Sequence, residues 1–132
     1  MTKDDVREYI AAFNRKDFAG FGRFYADNVR LDVGKFERNS RDEILDFYRE
    51  VAKTCDEKLE LKRIVMDDDG VGIELDTEFK AIADNPGFVA GPLKVGQSIF
   101  ITSFIFYTIR DGKFVDIKAR RIAEAVTGPS TF

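Results

Sequence analysis

Hydrophobic positions are densest between Ser98 and Glu124, and the dipeptide Asp111-Gly112 divides this stretch into two runs. An Asp-Gly pair between two β-rich runs predicts a hairpin with a tight turn. Side chains alternate between the two faces of a strand, and in the first run both alternating sets are largely apolar. Because such a strand must be covered on both faces, we expect the helices to cover one face and a second copy of the chain to cover the other. The pattern therefore predicts a homodimer that forms through the sheet.

The amino-terminal part of the chain predicts three helices and one short strand. Apolar residues at helical spacing indicate an amphipathic helix over residues 3–14. A second, shorter helix is expected to begin after Asp17, and a third is expected from residue 41 to about residue 53, each preceded by a capping residue. Alternating apolar positions over residues 29–33 predict a strand between the second and third helices.

Beyond the third helix the hydrophobic period changes to two, which is the period of a strand. Strands are predicted over residues 59–66 and 71–81, with a bulge near Arg63 in the first of them. The segment 85–97, rich in Gly and Pro, predicts a loop, and the tail from residue 127 is expected to be loose. The order α-α-β-α-β-β-β-β predicts an α+β fold in which a curved antiparallel sheet covers the amino-terminal helices and leaves a conical hollow.

Composition and charge narrow the class of protein. A length of 132 residues predicts one domain over residues 1–132. A net charge of −3 and a pI near 5.1 argue against nucleic acid as a partner. The amino terminus has no apolar segment typical of a signal peptide, and no run approaches a membrane span, so no membrane partner is expected. Cys55 is the only cysteine, which excludes an internal disulfide and fits a reducing cytoplasm.

The chain contains no histidine. This removes the usual general base near neutral pH and the commonest protein ligand for metals. It also excludes catalysis of the Ser-His-Asp and Cys-His kinds. A zinc ion would depend on one Cys and on carboxylates, an improbable set. We therefore expect no metal and no cofactor, and any catalysis would use Asp, Glu, Tyr, Lys, Arg or Cys55.

Four short motifs stand out along the chain: an A-x-N-x-x-D pattern at residues 12–17, the run Tyr-Ala-Asp-Asn at 25–28, a Ser-x-x-x-Ile helix entry at 40–44, and the turn Asp-Gly-Lys at 111–113. Together they resemble the SnoaL-like branch of the nuclear transport factor 2-like superfamily, in which Gly is usual where this chain has Ser40. The resemblance covers nearly the whole chain and implies a cone-shaped fold with a curved sheet around the amino-terminal helices. It implies less about function, because the superfamily includes isomerases, cyclases, epoxide hydrolases, dehydratases and non-enzymatic binders.

The resemblance suggests three candidate catalytic residues. Tyr9 occupies the place of the tyrosine that forms the oxyanion hole in steroid isomerases of the superfamily. The place of their base falls on Val33, one residue after Asp32, and the place of their second acid falls on Phe104. Arg121 is the candidate for the guanidinium group that epoxide-hydrolase-like members use, whereas the cyclase and dehydratase branches use histidine. An enzyme of this family would therefore depend here on Tyr9, Asp32 and Arg121.

Each of these three residues also has a structural explanation. Tyr9 fits a core tyrosine whose hydroxyl is hydrogen-bonded. Asp32 is either a base with a raised pKa in an apolar pocket or an acid at the surface end of a strand. Arg121 ends an apolar row on the last strand, so it either pairs with an acid at the rim of the hollow or binds an anionic ligand.

Apolar side chains are expected to line the hollow and to prefer a flat or aliphatic ligand. The candidate ligand-binding residues are Phe13, Phe79, Phe100, Thr102, Phe104, Phe106 and Ile117. The absence of histidine and the incomplete set of carboxylates favour a non-catalytic domain that binds a small hydrophobic molecule. The alternative is a cofactor-independent isomerase, cyclase or epoxide-hydrolase-like enzyme that uses Asp, Tyr and Arg as acids and bases.

Overall fold

A computed structural model describes residues 1–132 of the chain. The helices are α1 (Lys3–Asn14), α2 (Phe18–Gly22) and α3 (Arg41–Ala52), and the strands are β1 (Tyr25–Asp32), β2 (Glu37–Arg38), β3 (Cys55–Met66), β4 (Gly70–Ala81), β5 (Gln97–Arg110), β6 (Lys113–Arg121) and β7 (Val126–Pro129). The predicted α+β class with a curved sheet is confirmed, and the sheet does not close into a barrel. None of the three helices has the length and apolar character that crossing a membrane would require.

The two long helices begin at the predicted capping residues. At α1 the Thr2 hydroxyl accepts a hydrogen bond from the backbone N–H of Asp5, whose carboxylate accepts one from the N–H of Thr2 at 2.7 Å. At α3 the Ser40 hydroxyl accepts from the N–H of Glu43 at 3.1 Å. A cap of this kind stabilises a helix by about 1 kcal/mol. Sequence-local hydrogen bonds thus determine where both helices start.

The main sheet has the strand order β2-β1-β6-β5-β4-β3. Strands β3 to β6 pair antiparallel as predicted, but β1 lies parallel to β6, so the expectation of a wholly antiparallel sheet is wrong at this place. The two strands are far apart in the chain and share no turn, and the hydrophobic pattern of a strand carries no information about its direction. Only the tertiary fold determines how β1 is paired.

The carboxyl-terminal tail is ordered, contrary to expectation. Residues 126–129 form β7, which pairs antiparallel with the start of β5. The buried carboxylate of Glu78 accepts hydrogen bonds from the Ser98 hydroxyl at 2.7 Å and from the backbone N–H of Thr131 at 2.9 Å. The tail is therefore held by a ladder of backbone hydrogen bonds and by one buried acid.

The strand β3 forms one free edge of the sheet and is 12 residues long. Its pairing with β4 shifts register between Leu61 and Arg63, which confirms the predicted bulge. Charged residues alternate along its outward face, among them Lys58, Glu60 and Lys62. The edge is thus long, irregular at its middle and charged.

Buried side chains form two apolar clusters instead of one continuous core. The larger cluster has 19 buried residues and contains a group of aromatic rings around Tyr9 and Phe114. The smaller has seven buried residues and includes Val51 and Ile101. Side chains from both clusters line the cavity that lies between the helices and the sheet.

Candidate functional site

The cavity is predominantly apolar. It offers about 230 Å³ to the centres of water-sized molecules, and 16 of its 21 lining residues are hydrophobic. Its walls come from α1, α3, the turn after β1, the loop before β5, and the inward faces of strands β3 to β6. A space of this composition suits a small organic molecule with few polar groups.

Aromatic rings form a large part of the cavity wall. Phe13 and Tyr48 meet edge to face with ring centroids 5.0 Å apart, and Phe36 and Phe47 are separated by the same distance. Phe79 also lines the cavity, so the structure brings two of the candidate ligand-binding residues, Phe13 and Phe79, to its wall. The helices supply Phe13, Phe47 and Tyr48 because their apolar faces turn toward the sheet.

The strand β5 turns the opposite face to the cavity from the one predicted. Its cavity-lining residues are Ile101, Ser103, Ile105 and Tyr107, whereas Phe100, Thr102, Phe104 and Phe106 lie on the other face. Phe104 and Phe106 are 48% and 65% exposed there. Both faces of β5 are apolar, so the pattern does not distinguish them, and an error of one residue moves every side chain to the wrong face.

Two residues of β6 reach the cavity, Ala119 and Arg121. Ile117 lies on the same row of side chains but is 3% exposed within the larger cluster and does not line the cavity, contrary to expectation. Arg121 is exposed at the rim and makes no ion pair and no side-chain hydrogen bond. The structure therefore shows no acid paired with Arg121.

Asp32 lies outside the cavity and is committed to other partners. Its carboxylate accepts hydrogen bonds from the Arg120 guanidinium at 3.1 Å and from the backbone N–H of Gly34 at 2.8 Å, and Arg30 lies 3.4 Å away. The Arg120 hydrogen bond, followed by that of Gly34, holds the pKa of Asp32 below its usual value. A carboxylate stabilised in its charged form is a weak general base. Asp32 thus fits the surface acid and not the buried base.

Tyr9 contacts the cavity but has its hydroxyl satisfied in the core. The Tyr9 and Tyr25 hydroxyl oxygens are 2.7 Å apart, within hydrogen-bond distance. Edge-on aromatic rings surround the Tyr9 ring, among them Phe114 at 5.1 Å. Burial raises the pKa of Tyr9 well above its usual value, so the phenol is neutral. Of the three candidate catalytic residues, the structure brings only Tyr9 and Arg121 to the cavity.

Glu57 is a cavity acid that the sequence analysis missed. It lies on β3 with its side chain on the inward row that also contains Cys55 and Leu59. Its carboxyl makes no hydrogen bond and no ion pair, because Lys16 donates to the Glu57 backbone carbonyl and pairs with the Asp56 carboxylate at 3.1 Å. Burial raises the pKa of Glu57 to about 7.

The signal for Glu57 was present in the sequence. In the segment CDEKLEL, Glu57 occupies the alternating positions of Cys55, Leu59 and Leu61, so it is a charged residue in an apolar row. The strand was predicted to begin at Leu59, four residues later than β3 does begin. The prediction therefore assigned Glu57 to the connection between the third helix and this strand, where an acid does not indicate a site.

The cavity therefore combines apolar walls with one acid, Glu57, whose pKa lies near neutrality. Two exposed cations, Lys35 and Arg121, lie at its rim. Thr77 and Ser103 add hydroxyl groups, and the Tyr48 hydroxyl makes no hydrogen bond within the protein. No group of three His, Cys, Asp or Glu side chains is arranged to hold a metal ion. The arrangement is able to enclose an apolar molecule, to hydrogen-bond to it and to exchange a proton with it.

The model of the SnoaL-like domain family matches residues 6–117. No protein of curated function matches the chain in sequence. Among solved structures, a candidate polyketide cyclase from Xanthomonas campestris pv. campestris is 20% identical and superposes with a TM-score of 0.77 over 89% of this chain and 87% of that one.

Two further structures are similar. An NTF2-like protein of unknown function from Burkholderia pseudomallei is 17% identical, with a TM-score of 0.72 over 90% of each chain. An LEH-like epoxide hydrolase from Mycobacterium tuberculosis is 12% identical, with a TM-score of 0.72 over 89% of this chain and 80% of that one. At such identities the likeness establishes the fold, and the chemistry has to be argued from the site.

Proposed function

Because the chain belongs to the SnoaL-like domain family, we propose that its cavity binds a small, largely apolar molecule. The observation that supports this most directly is the cavity itself, with its 16 hydrophobic lining residues between two separate core clusters. An unfilled apolar space lowers the stability of a protein, because the side chains around it lose packing contacts. A ligand that fills the space would restore those contacts.

The neutral fluorescent probe N-phenyl-1-naphthylamine tests this proposal, and the absence of tryptophan keeps the optical background low. Ser103→Phe adds a ring inside the cavity, whereas Thr102→Phe adds the same ring one residue away on the opposite face of β5. We expect Ser103→Phe to weaken probe binding at least tenfold and Thr102→Phe to leave it unchanged. Equal binding by both variants would show that the probe does not enter the cavity.

We propose in addition that two copies pair through the outer face of the sheet. The exposed Phe104 and Phe106 on β5 lie between Glu74 on β4 and the basic residues Lys118 and Arg120 on β6. A two-fold axis along β5 between the copies would set β4 of one copy against β6 of the other. Apolar residues would then meet apolar residues, and acidic residues would meet basic ones, as a self-complementary interface requires.

Sedimentation equilibrium tests the dimer. We expect the mass of two chains for the wild type and of one chain for Phe106→Lys, which places a charge at the centre of the proposed interface. The control is Val95→Lys, which changes another exposed apolar residue (58%, against 65% for Phe106) in the loop before β5. A wild-type mass of one chain would refute the dimer.

A second candidate function is cofactor-independent proton transfer, and Glu57 is the observation that favours it. The set Tyr9, Asp32 and Arg121 does not converge, but Glu57 lines the cavity with a pKa of about 7. A group with that pKa is able both to give and to accept a proton near neutral pH. The test is deuterium exchange next to the carbonyl of a cyclic ketone such as 2-decalone. We expect Glu57→Gln to abolish the exchange and to keep ketone binding. A wild-type rate equal to that of buffer would leave binding as the function.

A further inference from the structure

The cavity rim carries two cations without partners. Five of the lining residues are polar, and of these Lys35 and Arg121 are exposed, while Glu57, Thr77 and Ser103 lie on the inward faces of β3, β4 and β5. Neither Lys35 nor Arg121 makes an ion pair or a side-chain hydrogen bond. By contrast, six other arginines each pair with a carboxylate: Arg7, Arg15, Arg30, Arg41, Arg49 and Arg120. The rim is thus a place of uncompensated positive charge.

Strand alternation separates the two neighbouring arginines of β6. Arg120 points away from the cavity and donates both to the carboxylate and to the backbone carbonyl of Asp32, each at 3.1 Å. Asp32 is also approached by Arg30. The acid at the end of β1 is therefore already neutralised on the outer side. Arg121, turned to the inner side, keeps all its donors available to whatever enters the cavity.

The turn after β1 brings Lys35 to the same part of the rim. The turn is closed by a hydrogen bond from the N–H of Val33 to the carbonyl of Phe36 at 3.2 Å. Gly34 lies within it at a φ of 88°, in a position where an added Cβ would be 3.6 Å from the Arg120 side chain. The turn follows the end of β1, which pairs with β6 up to Asp32 and Lys118, so Lys35 and Arg121 both extend beyond the paired ends of these two strands and both line the cavity.

Glu57, the only cavity acid, lies on the opposite side. The sheet register sets Arg121 beside Ser103, Ser103 beside Leu75, and Leu75 beside Leu61 on β3. Glu57 is four residues before Leu61. Three strand spacings of ~4.8 Å and four residues of ~3.4 Å separate the two Cα atoms by about 20 Å along the sheet. The cationic rim and the cavity acid thus lie at different places on the inward face of the sheet.

We infer that the cavity takes an amphipathic organic anion, whose carboxylate is held by Arg121 and Lys35 at the rim while its apolar part lies inside. The inference rests on the proposed binding function and adds the ligand's charge and orientation. The planar fork of an arginine matches the two oxygens of a carboxylate, and the lysine adds a point charge. Phe36, Phe47 and Ile105 supply apolar wall for the chain or ring of the ligand.

The probes are octanoate and 1-octanol, which share an apolar chain and differ in the head group. The affinity of each is measured by its displacement of N-phenyl-1-naphthylamine. We expect Arg121→Gln to weaken octanoate binding about tenfold and Lys35→Gln about threefold, with 1-octanol unaffected. Raising NaCl from 0.05 to 0.5 M should weaken octanoate only. Arg110→Gln, which removes an exposed arginine without an ion pair outside the cavity, is the matched control and should change neither. The melting temperatures should stay constant because neither rim residue makes a native ion pair.

The outcomes separate this inference from the function it rests on. If the rim variants change the binding of neither octanol nor octanoate, the inferred recognition of an anionic head group is wrong, and the proposed apolar ligand remains. Failure of the naphthylamine, octanol and octanoate alike to bind the wild type would overturn the proposed function and the inference together. Selective loss of octanoate in Arg121→Gln would support both.

Discussion

Replacing Glu57 with glutamine should stabilise the protein at neutral pH. The Glu57 carboxyl lies against the apolar cavity wall without a hydrogen bond or an ion pair, and burial raises its pKa from 4.5 to about 7. Glutamine has nearly the shape of the protonated acid and does not ionise. The variant should therefore keep the native packing and lose the energetic cost of desolvating a charge.

The sign and size of the effect follow from the two pKa values. Between pH 4.5 and 7 the unfolded chain loses the Glu57 proton while the folded protein retains it, so stability falls as the pH rises through this window and levels off above it. At about 1.4 kcal/mol for each tenfold change in proton affinity, the upper limit is about 3 kcal/mol. Glu57 is only partly buried, so screening by solvent reduces the expected effect to about 2 kcal/mol.

Urea unfolding at pH 4.5, 6 and 7.5 measures the effect. The free energy of unfolding of Glu57→Gln should equal that of the wild type at pH 4.5 and exceed it by about 2 kcal/mol at pH 7.5. Acids with lowered pKa values, such as Asp32 and Glu78, are present in both proteins and cancel in the difference. Glu60→Gln, which changes an exposed acid on the outward face of the same strand, should stay within about 0.5 kcal/mol of the wild type throughout.

Two results would refute this reasoning. A difference that is the same at all three pH values would mean that the Glu57 carboxyl ionises equally easily in the folded and unfolded chains. A variant less stable than the wild type at pH 7.5 would mean that the carboxylate makes a favourable interaction in the native state. A carboxyl NMR titration of Glu57 with a midpoint near 7 is the independent check.

Three further predictions concern Tyr9, Asp32 and the carboxyl-terminal tail. Tyr9→Phe should lower the unfolding free energy by about 1–2 kcal/mol, because it leaves the buried Tyr25 hydroxyl without a partner. In urea unfolding, the free energy that the double variant Tyr9→Phe/Tyr25→Phe loses should be smaller than the sum of the losses in the two single variants. Asp32→Asn should be less stable than the wild type at pH 7 and approach it as the pH falls below ~3.8, since the pairing of Asp32 with arginine is lost on protonation. The same variant should bind N-phenyl-1-naphthylamine normally, and a weaker affinity would place Asp32 at the site. Deletion of residues 126–132 should lower the melting temperature and keep probe binding, because it removes β7 and the hydroxyl and N–H partners of Glu78 on the outer face of the sheet.

Features that depend on neighbouring residues were predictable from the sequence. The capping residues begin the helices where expected, and the Asp111-Gly112 turn adopts the positive φ angles, 52° and 71°, that a tight hairpin turn requires. The bulge in β3 was visible as a shift in the apolar row. In each case the chemistry of a few adjacent residues is sufficient to determine the local backbone.

Features that depend on distant contacts were not predictable in the same way. The direction of β1 and the pairing of β7 are determined by where the rest of the sheet lies. The cavity-facing side of β5 depends on which face the helices cover, and both faces are apolar enough to be covered. The sequence left Asp32 as a plausible base, because its hydrogen bond with Arg120, 88 residues later in the chain, depends on the tertiary fold. Glu57 was detectable, but it required the correct start of β3.

The long free edge of β3 has a consequence for the protein's resistance to aggregation. An unpaired edge of 12 residues is a template on which another chain is able to add a strand and extend a fibril. The bulge between Leu61 and Arg63 interrupts the regular spacing of donors and acceptors, and Lys58 and Glu60 would have to lose part of their hydration in any edge-to-edge contact. These features protect the protein from open-ended polymerisation through this edge.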